Sequence, residues 1–589
     1  MGVSIVALFS SFFGGSHYSW GFNISIKYGI MLLAAFASFS SCDEHDFLKE
    51  EPLDFYSPEN SMETSAHFQS SLNYLYNRVR YQVCEMTMDT RFAFYYATDF
   101  AFNGTDYYKP AKLNDYKNVM VPTFAVPKEV WKESYTVISN ANVILNRLTN
   151  ASQVNDEDKK VIRGEALVFR GYAYRMLANL FGGVPLILEE ITTPRRDYVR
   201  ASREEVYKQI KQDLEEAVSL LPNIESVKDG KLSKQVAQHL LAEVNICLGL
   251  YDEAIQAASA VIDHPEMALM TNRFGSRQNE AGDVYWDLFR LNNQNRGSGN
   301  KESLWVLQYD YLNPGSNTDY NASFSFIPYY QNIKITAKNE AGEEVNTTAF
   351  LGVTDGKCGR GIGWIQPTSH FFNDIWSKGS ENDIRNSEYN IIRDVRIDNP
   401  ESPAFGQWLV KDGYYKQLDS IRQWYPLMTK ISRVNNFPEE FYQKDANGNP
   451  LMTPFGEHLV INSANGSYKD VYLFRLAETY LLRAEAYVNK GDQAKAAADV
   501  NTVRSRANAD PAQPAEVNID YILDERLREL YCEELRMLTL CRMGKLADRN
   551  RRYNPRTGMS IEDYHNLWPI PYSEIERNVY ATIEQNPGY

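Results

Sequence analysis

The stretch from Asp470 to Ala507 constrains this chain most. Tyr472, Leu476, Tyr480, Leu481, Ala484, Tyr487 and Val488 recur at helical spacing, and Arg475, Glu478, Glu485 and Asn489 fall on the opposite side. The spacing predicts an amphipathic helix with a solvated charged face. Gly491 ends it as a C-cap glycine would, and Asp492 can cap a successor. Ala494, Ala497, Ala498, Val500 and Val503 give that successor a small-residue face, so the two helices are expected to pair closely and antiparallel.

A second copy lies upstream, from Val236 to Ile262. Gly249 stands where Gly491 stands, and Asp252, Ala254, Ala257 and Ala258 repeat the small-residue helix. A Gly-containing turn before an Ala-rich helix resembles the helix pairs of tetratricopeptide repeats, but no 34-residue period joins the copies. Helix pairs framing inserted material are predicted rather than a continuous solenoid.

At 589 residues the chain exceeds the size at which a single core stops growing. Acidic residues number 76 against 61 basic, a formal charge of -15, which argues against a nucleic-acid partner. The basic runs Arg195, Arg196, Arg200 and Arg549, Arg551, Arg552, Arg556 read as solvated loop charges, because no aromatic residues interleave them as a stacking platform.

The N-terminus reads as an export signal: Lys27, an apolar run from Tyr28 to Phe39, then Ser40, Ser41 and Cys42 before the acidic Asp43 and Glu44. Phe39-Ser40-Ser41-Cys42 resembles a bacterial lipobox, which makes Cys42 the candidate lipid anchor; an ordinary signal peptide with an incidental cysteine is the alternative. The other five cysteines are scattered and odd in number, so no disulfide framework is expected, and Cys247 and Cys532 read as small buried residues within helices. There is no CxxC, HExxH or zinc spacing, and no metal or other cofactor is expected.

Helices are predicted over Ser57–Met88, with Ser57 and Pro58 at its start, over Trp131–Leu148, over Lys159–Leu180, and over Ser202–Leu221, where Ser202 and Glu205 form a capping box. Another is predicted over Ile522–Met543. Trp131-Lys132-Glu133-Ser134-Tyr135 with Ala141-Asn142, then Phe169-Arg170-Gly171-Tyr172-Ala173-Tyr174 and Phe181-Gly182-Gly183-Val184-Pro185, resemble the N-terminal signature of the SusD/RagB family. Phe474-Arg475-Leu476-Ala477-Glu478, Glu525-Arg526 with Glu533-Glu534-Leu535-Arg536, and the tail Gln585-Asn586-Pro587-Gly588-Tyr589 are similar to its C-terminal pattern. The resemblance implies a mainly α fold: a scaffold of four tetratricopeptide-like helix pairs carrying a loop-rich, aromatic-rich insertion. It also implies an outer-membrane lipoprotein facing the cell exterior, which binds oligosaccharide or a similar nutrient and caps a SusC-like TonB-dependent transporter.

The expected organisation is a leader at 1–41, an N-terminal helical region at 42–270, an insertion at 271–468 and a C-terminal helical region at 469–589. Within the insertion, Leu304–Gln308 and Ile333–Ala337 read as strands, and Ala341-Gly342 and Asn447-Gly448 as hairpin turns. Trp286, Trp305, Trp364, Trp376, Trp408 and Trp424 gather there. Aromatic faces pack on the C–H surfaces of sugars while amides and carboxylates meet the hydroxyls. Aromatic residues beside turn formers are the exposed candidates, and most of the other rings are expected in the core. The candidate ligand-binding residues are Asn103, Asp106, Tyr107, Tyr108, Tyr311, Asn313, Tyr320 and Trp364, the last on a loop made flexible by Gly359, Gly361 and Gly363. No GxSxG elbow, P-loop or histidine cluster marks an enzyme. Non-catalytic capture is expected; a surface glycoside hydrolase and a purely protein-binding helical scaffold are the alternatives.

Overall fold

The computed structural model describes residues 62–105, 113–311, 313, 322–377 and 380–589. Cys42 and the Ser57–Pro58 helix start lie outside them, and the first described helix, α1 (Ser65–Arg80), is capped by Thr64. The predicted helices follow: α2 (Ala125–Leu148), α3 (Asp156–Phe181) ending at Gly182 with φ +77°, and α4 (Arg203–Leu220) with the Ser202/Glu205 capping box in place. Next come α5 (Lys234–Cys247) and α6 (Tyr251–Ile262), joined through Gly249 at φ +73°.

The C-terminal pair is α7 (Leu476–Lys490) and α8 (Gln493–Arg506). Gly491 takes φ +85° at the turn and Asp492 accepts from the Lys495 N–H, as the sequence requires. Two details differ. Val471–Arg475 is a strand, because its residues pair with the strand Ser303–Leu307 before the helix begins. The buried face of α8 is Ala496, Ala497, Val500 and Val503, so Ala494 and Ala498 point to solvent.

Successive helices from α2 to α6 pack on their neighbours, and α6 packs directly on α7. Ile246 and Ala254 meet Leu482 and Ala486 at that seam. Copies more than two hundred positions apart in sequence are therefore adjacent in space. The rest of the architecture is short strands in two-stranded antiparallel pairs: β1 (Ala101–Asn103) with β5 (Ile365–Pro367), β2 (Ser303–Leu307) with β8 (Val471–Arg475), β3 (Lys334–Lys338) with β4 (Glu344–Thr348), and β6 (Ile391–Ile392) with β7 (Leu427–Met428). The β3–β4 turn holds Gly342 at φ +81°, and Gly448 at φ +86° donates its N–H to Asp445 O.

The largest departure concerns charge. Arg475, Glu478 and Glu485 do not face solvent but are buried in ion pairs. The Arg475 guanidinium meets Glu302 and Glu529 at 2.9 Å and Glu533 at 2.6 Å. Arg506 joins Glu302 and Glu529, and Arg385 binds Asp383 and Glu525 at 2.7 Å. Glu485 holds Arg542 at 2.6 Å, and Arg175 on α3 holds Glu243 on α5 at 2.7 Å. Arg549, read as a loop charge, is fully buried against Asp99 at 2.7 Å; Arg551, Arg552 and Arg556 are exposed as expected. The same chemistry breaks the predicted Ile522–Met543 helix into α9 (Ile519–Leu530) and α10 (Arg536–Arg542). Between them Cys532 takes φ +61°, which turns Glu533 to Arg475 and Glu534 to Arg526.

Removing one member of such a set strands a buried charge, so Arg475→Met is expected to cost about 3–5 kcal/mol in urea unfolding. Burial alone would raise the Glu243 carboxyl, but Arg175 and Arg542 hold it down at about 2; Arg506, Arg475 and Arg385 likewise hold Glu529 at about 2. This stability is present above the ordinary glutamate value of 4.5 and is lost as pH falls toward 2. Unfolding measured across that window should steepen on acidification, and Glu243→Gln should flatten the slope.

Candidate ligand-binding cleft

The β2/β8 register sets the site. Leu307 pairs with Val471, and just beyond the ladder the Tyr309 N–H donates to Asp470 Oδ1 at 2.6 Å while Asn295 Nδ2 donates to Oδ2 at 2.7 Å. Burial pushes the Asp470 carboxyl up to about 6. Beside it opens a cleft of about 920 Å³, walled by the end of α1, the chain after β2, the loop around Arg433–Glu440 and the approach to β8.

Three phenol rings line it: Tyr309, Tyr311 and Tyr468. Tyr311 lies edge-on to Tyr468 at 5.0 Å and tilts against Phe441 at 5.6 Å, so its ring is fixed from behind. A hydrogen bond to Glu440, assisted by burial, pushes the Tyr311 phenol up to about 12. The Arg80 guanidinium sits 5.2 Å over the Tyr309 ring and pairs with Glu85 at 3.1 Å. Arg433 donates from Nε to Asn436 O at 2.7 Å and from Nη1 to Tyr468 O at 3.2 Å. Rigid rings beside fixed donors and acceptors form a surface suited to a polyhydroxylated ligand. Among the described residues no group of three or more His, Cys, Asp or Glu side chains could hold a metal ion.

Of the candidate residues, Tyr311 and Asn313 line this cleft. Asp106, Tyr107, Tyr108 and Tyr320 lie outside the described residues. Asn103 and Trp364 come together elsewhere, at the β1/β5 pair, where the Gly104 N–H donates to Trp364 O at 2.9 Å. Neither is an exposed anchor. Asn103 is buried and its Oδ1 accepts from the Thr105 N–H and hydroxyl, at 3.0 and 2.7 Å, so that oxygen is engaged within its own turn. Trp364 is half-buried against Phe324 and Phe92. Its glycines serve close packing rather than flexibility: a Cβ on Gly361 would lie 2.0 Å from Pro328 O. Trp286, Trp305 and Trp376 are core residues, as most were expected to be.

Two family models match the chain: "Starch-binding associating with outer membrane" over residues 51–246, and "SusD family" over 301–589. The chain belongs to the SusD/RagB family. SusD-like protein P25 of Formosa agariphila is 25% identical, aligned over 96% of this chain and 99% of its own length. Starch-binding protein SusD of Bacteroides thetaiotaomicron is 37% identical over 124 residues, 20% of this chain and 22% of that one. Among solved structures, a laminarin-binding SusD-like protein aligns with TM-score 0.62 at 21% identity, covering 90% of this chain and all of that one. Surface glycan-binding protein A of Bacteroides thetaiotaomicron, in complex with laminarihexaose, aligns with TM-score 0.62 at 18% identity over 89% of this chain and 99% of that one. These likenesses establish a SusD-like, mainly α fold with small strands.

In this SusD-like chain, sequence reading missed Arg80, Arg433, Tyr468 and Asp470. The turn-rich run Asn435-Asn436-Phe437-Pro438 beside Arg433 was a usable signal. Tyr468, a non-glycine residue at φ +45°, and Asp470, read as the start of a helix, gave none. Gly361→Ala is expected to lower stability by roughly 1–3 kcal/mol in thermal denaturation, because backbone oxygen blocks the new methyl. Gly352→Ala, whose Cβ would meet only Leu459 at 3.6 Å, should be nearly neutral.

Proposed function

We propose that this chain is a cell-surface lipoprotein that captures oligosaccharide without altering it and delivers it to a SusC-like TonB-dependent transporter. The observation that carries the reading is the cleft of Tyr309, Tyr311 and Tyr468 with its fixed polar groups, in a chain of the SusD/RagB family. The laminarin and laminarihexaose named for two structural relatives favour a saccharide ligand. The family description of starch binding in association with the outer membrane favours the location. Acylation at Cys42 would supply the tether: several buried acyl chains, at about 0.8 kcal/mol per methylene, hold a protein on a bilayer.

Titration calorimetry of the purified chain against an oligosaccharide panel tests the binding. Tyr311→Ala should weaken the best ligand roughly tenfold, about 1.4 kcal/mol, with no new reducing ends appearing on incubation. Appearance of reducing ends would replace capture by hydrolysis. Cys42→Ser should move the protein from the membrane fraction to the soluble one.

A further inference from the structure

Given that a saccharide occupies the cleft, as proposed above, we infer that the cleft selects neutral oligosaccharides against those bearing carboxylate or sulfate, with Arg433 as the residue that reads hydroxyl oxygens.

The charges that line the cleft are Arg80, Arg433, Asp310, Glu439, Glu440 and Asp470. Two of them are answered locally: Arg80 pairs with Glu85 at 3.1 Å and Glu439 with Lys444 at 2.7 Å. Arg433 alone then stands against Asp310, Glu440 and Asp470, which leaves two carboxylates in excess. Glu440 is held in its charged form by the Tyr311 hydroxyl, and Asp470 is fixed by Tyr309 and Asn295. Neither can swing away from an incoming anion. The chain as a whole, at -15, adds repulsion of the same sign.

Arg433 differs from the other buried guanidinium groups of the helical frame, which carry carboxylate partners. Among the described residues no carboxylate lies within ion-pairing distance of it. Two main-chain carbonyls hold its Nε and Nη1, so the planar group is oriented before any ligand arrives and the Nη2 protons are left to donate. With acceptors on the neighbouring wall at Glu440 and Asp470, a ligand that both donates and accepts is complemented. A sugar hydroxyl does both; a sulfate only accepts.

Across a wall formed by Arg80 and Gln308, a smaller hollow of about 390 Å³ carries Lys228 and Lys231. This is a separate positive pole, and the experiment must separate it from the cleft. Purified full-length chain is titrated at low and moderate salt with laminarihexaose, maltohexaose, xylohexaose and mannohexaose, and with hexagalacturonate and a sulfated carrageenan hexaose. The expected result is measurable binding of at least one neutral hexaose, insensitive to salt, with both anionic probes at least tenfold weaker. Arg433→Gln should weaken that neutral ligand about tenfold. Glu440→Gln, which keeps the acceptor for Tyr311, should narrow the gap between neutral and anionic probes. Thermal denaturation of both variants checks that they fold; if Arg433→Gln does not, the Glu440→Gln arm decides.

An anionic probe that binds more tightly than every neutral one would overturn the selectivity while leaving saccharide capture intact, whether or not Lys228→Gln with Lys231→Gln abolishes it. Unchanged neutral affinity in folded Arg433→Gln would remove Arg433 from the site. Failure of all six probes would count against the saccharide reading itself and the inference with it.

Discussion

A guanidinium taken out of water must be met by carboxylates, and this fold is arranged around that requirement. Glu529 on α9 receives Arg475, Arg506 and Arg385, and Glu525 one turn earlier receives Arg385, Arg504 and Arg528. The participants come from β8, α8, α9 and the segment at Asp383–Arg385, so satisfying the charges fixes how these elements meet. Hydrophobic packing alone would tolerate small slips between helices; a ring of two-pronged contacts does not. Each member is replaceable only together with its partners.

The cleft inherits its geometry from this centre. Glu302 accepts from Arg475 and Arg506 just ahead of β2, and its carbonyl oxygen accepts from the Leu476 N–H where β8 ends. The β2/β8 pair is thereby held in register from one end. Tyr309 and Asp470 leave its other end already in contact. Tyr311 and Tyr468 follow from those two strands, so the binding surface is an extension of the most constrained part of the core.

Elements that depend on neighbours in sequence were legible. The turns at Gly249 and Gly491, the Ser202/Glu205 capping box and the hairpin at Gly342 all rest on local rules of backbone and cap. Charge was misread because the partners are remote: nothing near Arg506 announces Glu302, and nothing near Arg549 announces Asp99. The strand at Val471 was hidden because its apolar residues run on in phase with the helix after it. In the cleft, Tyr311 and Asn313 carried a signal in their turn-forming surroundings, whereas Arg433 and Asp470 acquire meaning only when three distant segments converge. Asn103 and Trp364 show the converse: glycine and asparagine nearby signalled a loop, while close packing was their purpose.

The packing of α6 on α7 bears on how such a chain can change over generations. The long segment between them departs and returns at one place on the helical frame, with β2 and β8 paired at the point of return. Lengthening that segment adds little closure entropy, since the penalty grows only with the logarithm of loop length. New loops can therefore be exchanged there like a cassette, giving relatives different appetites on an unaltered chassis.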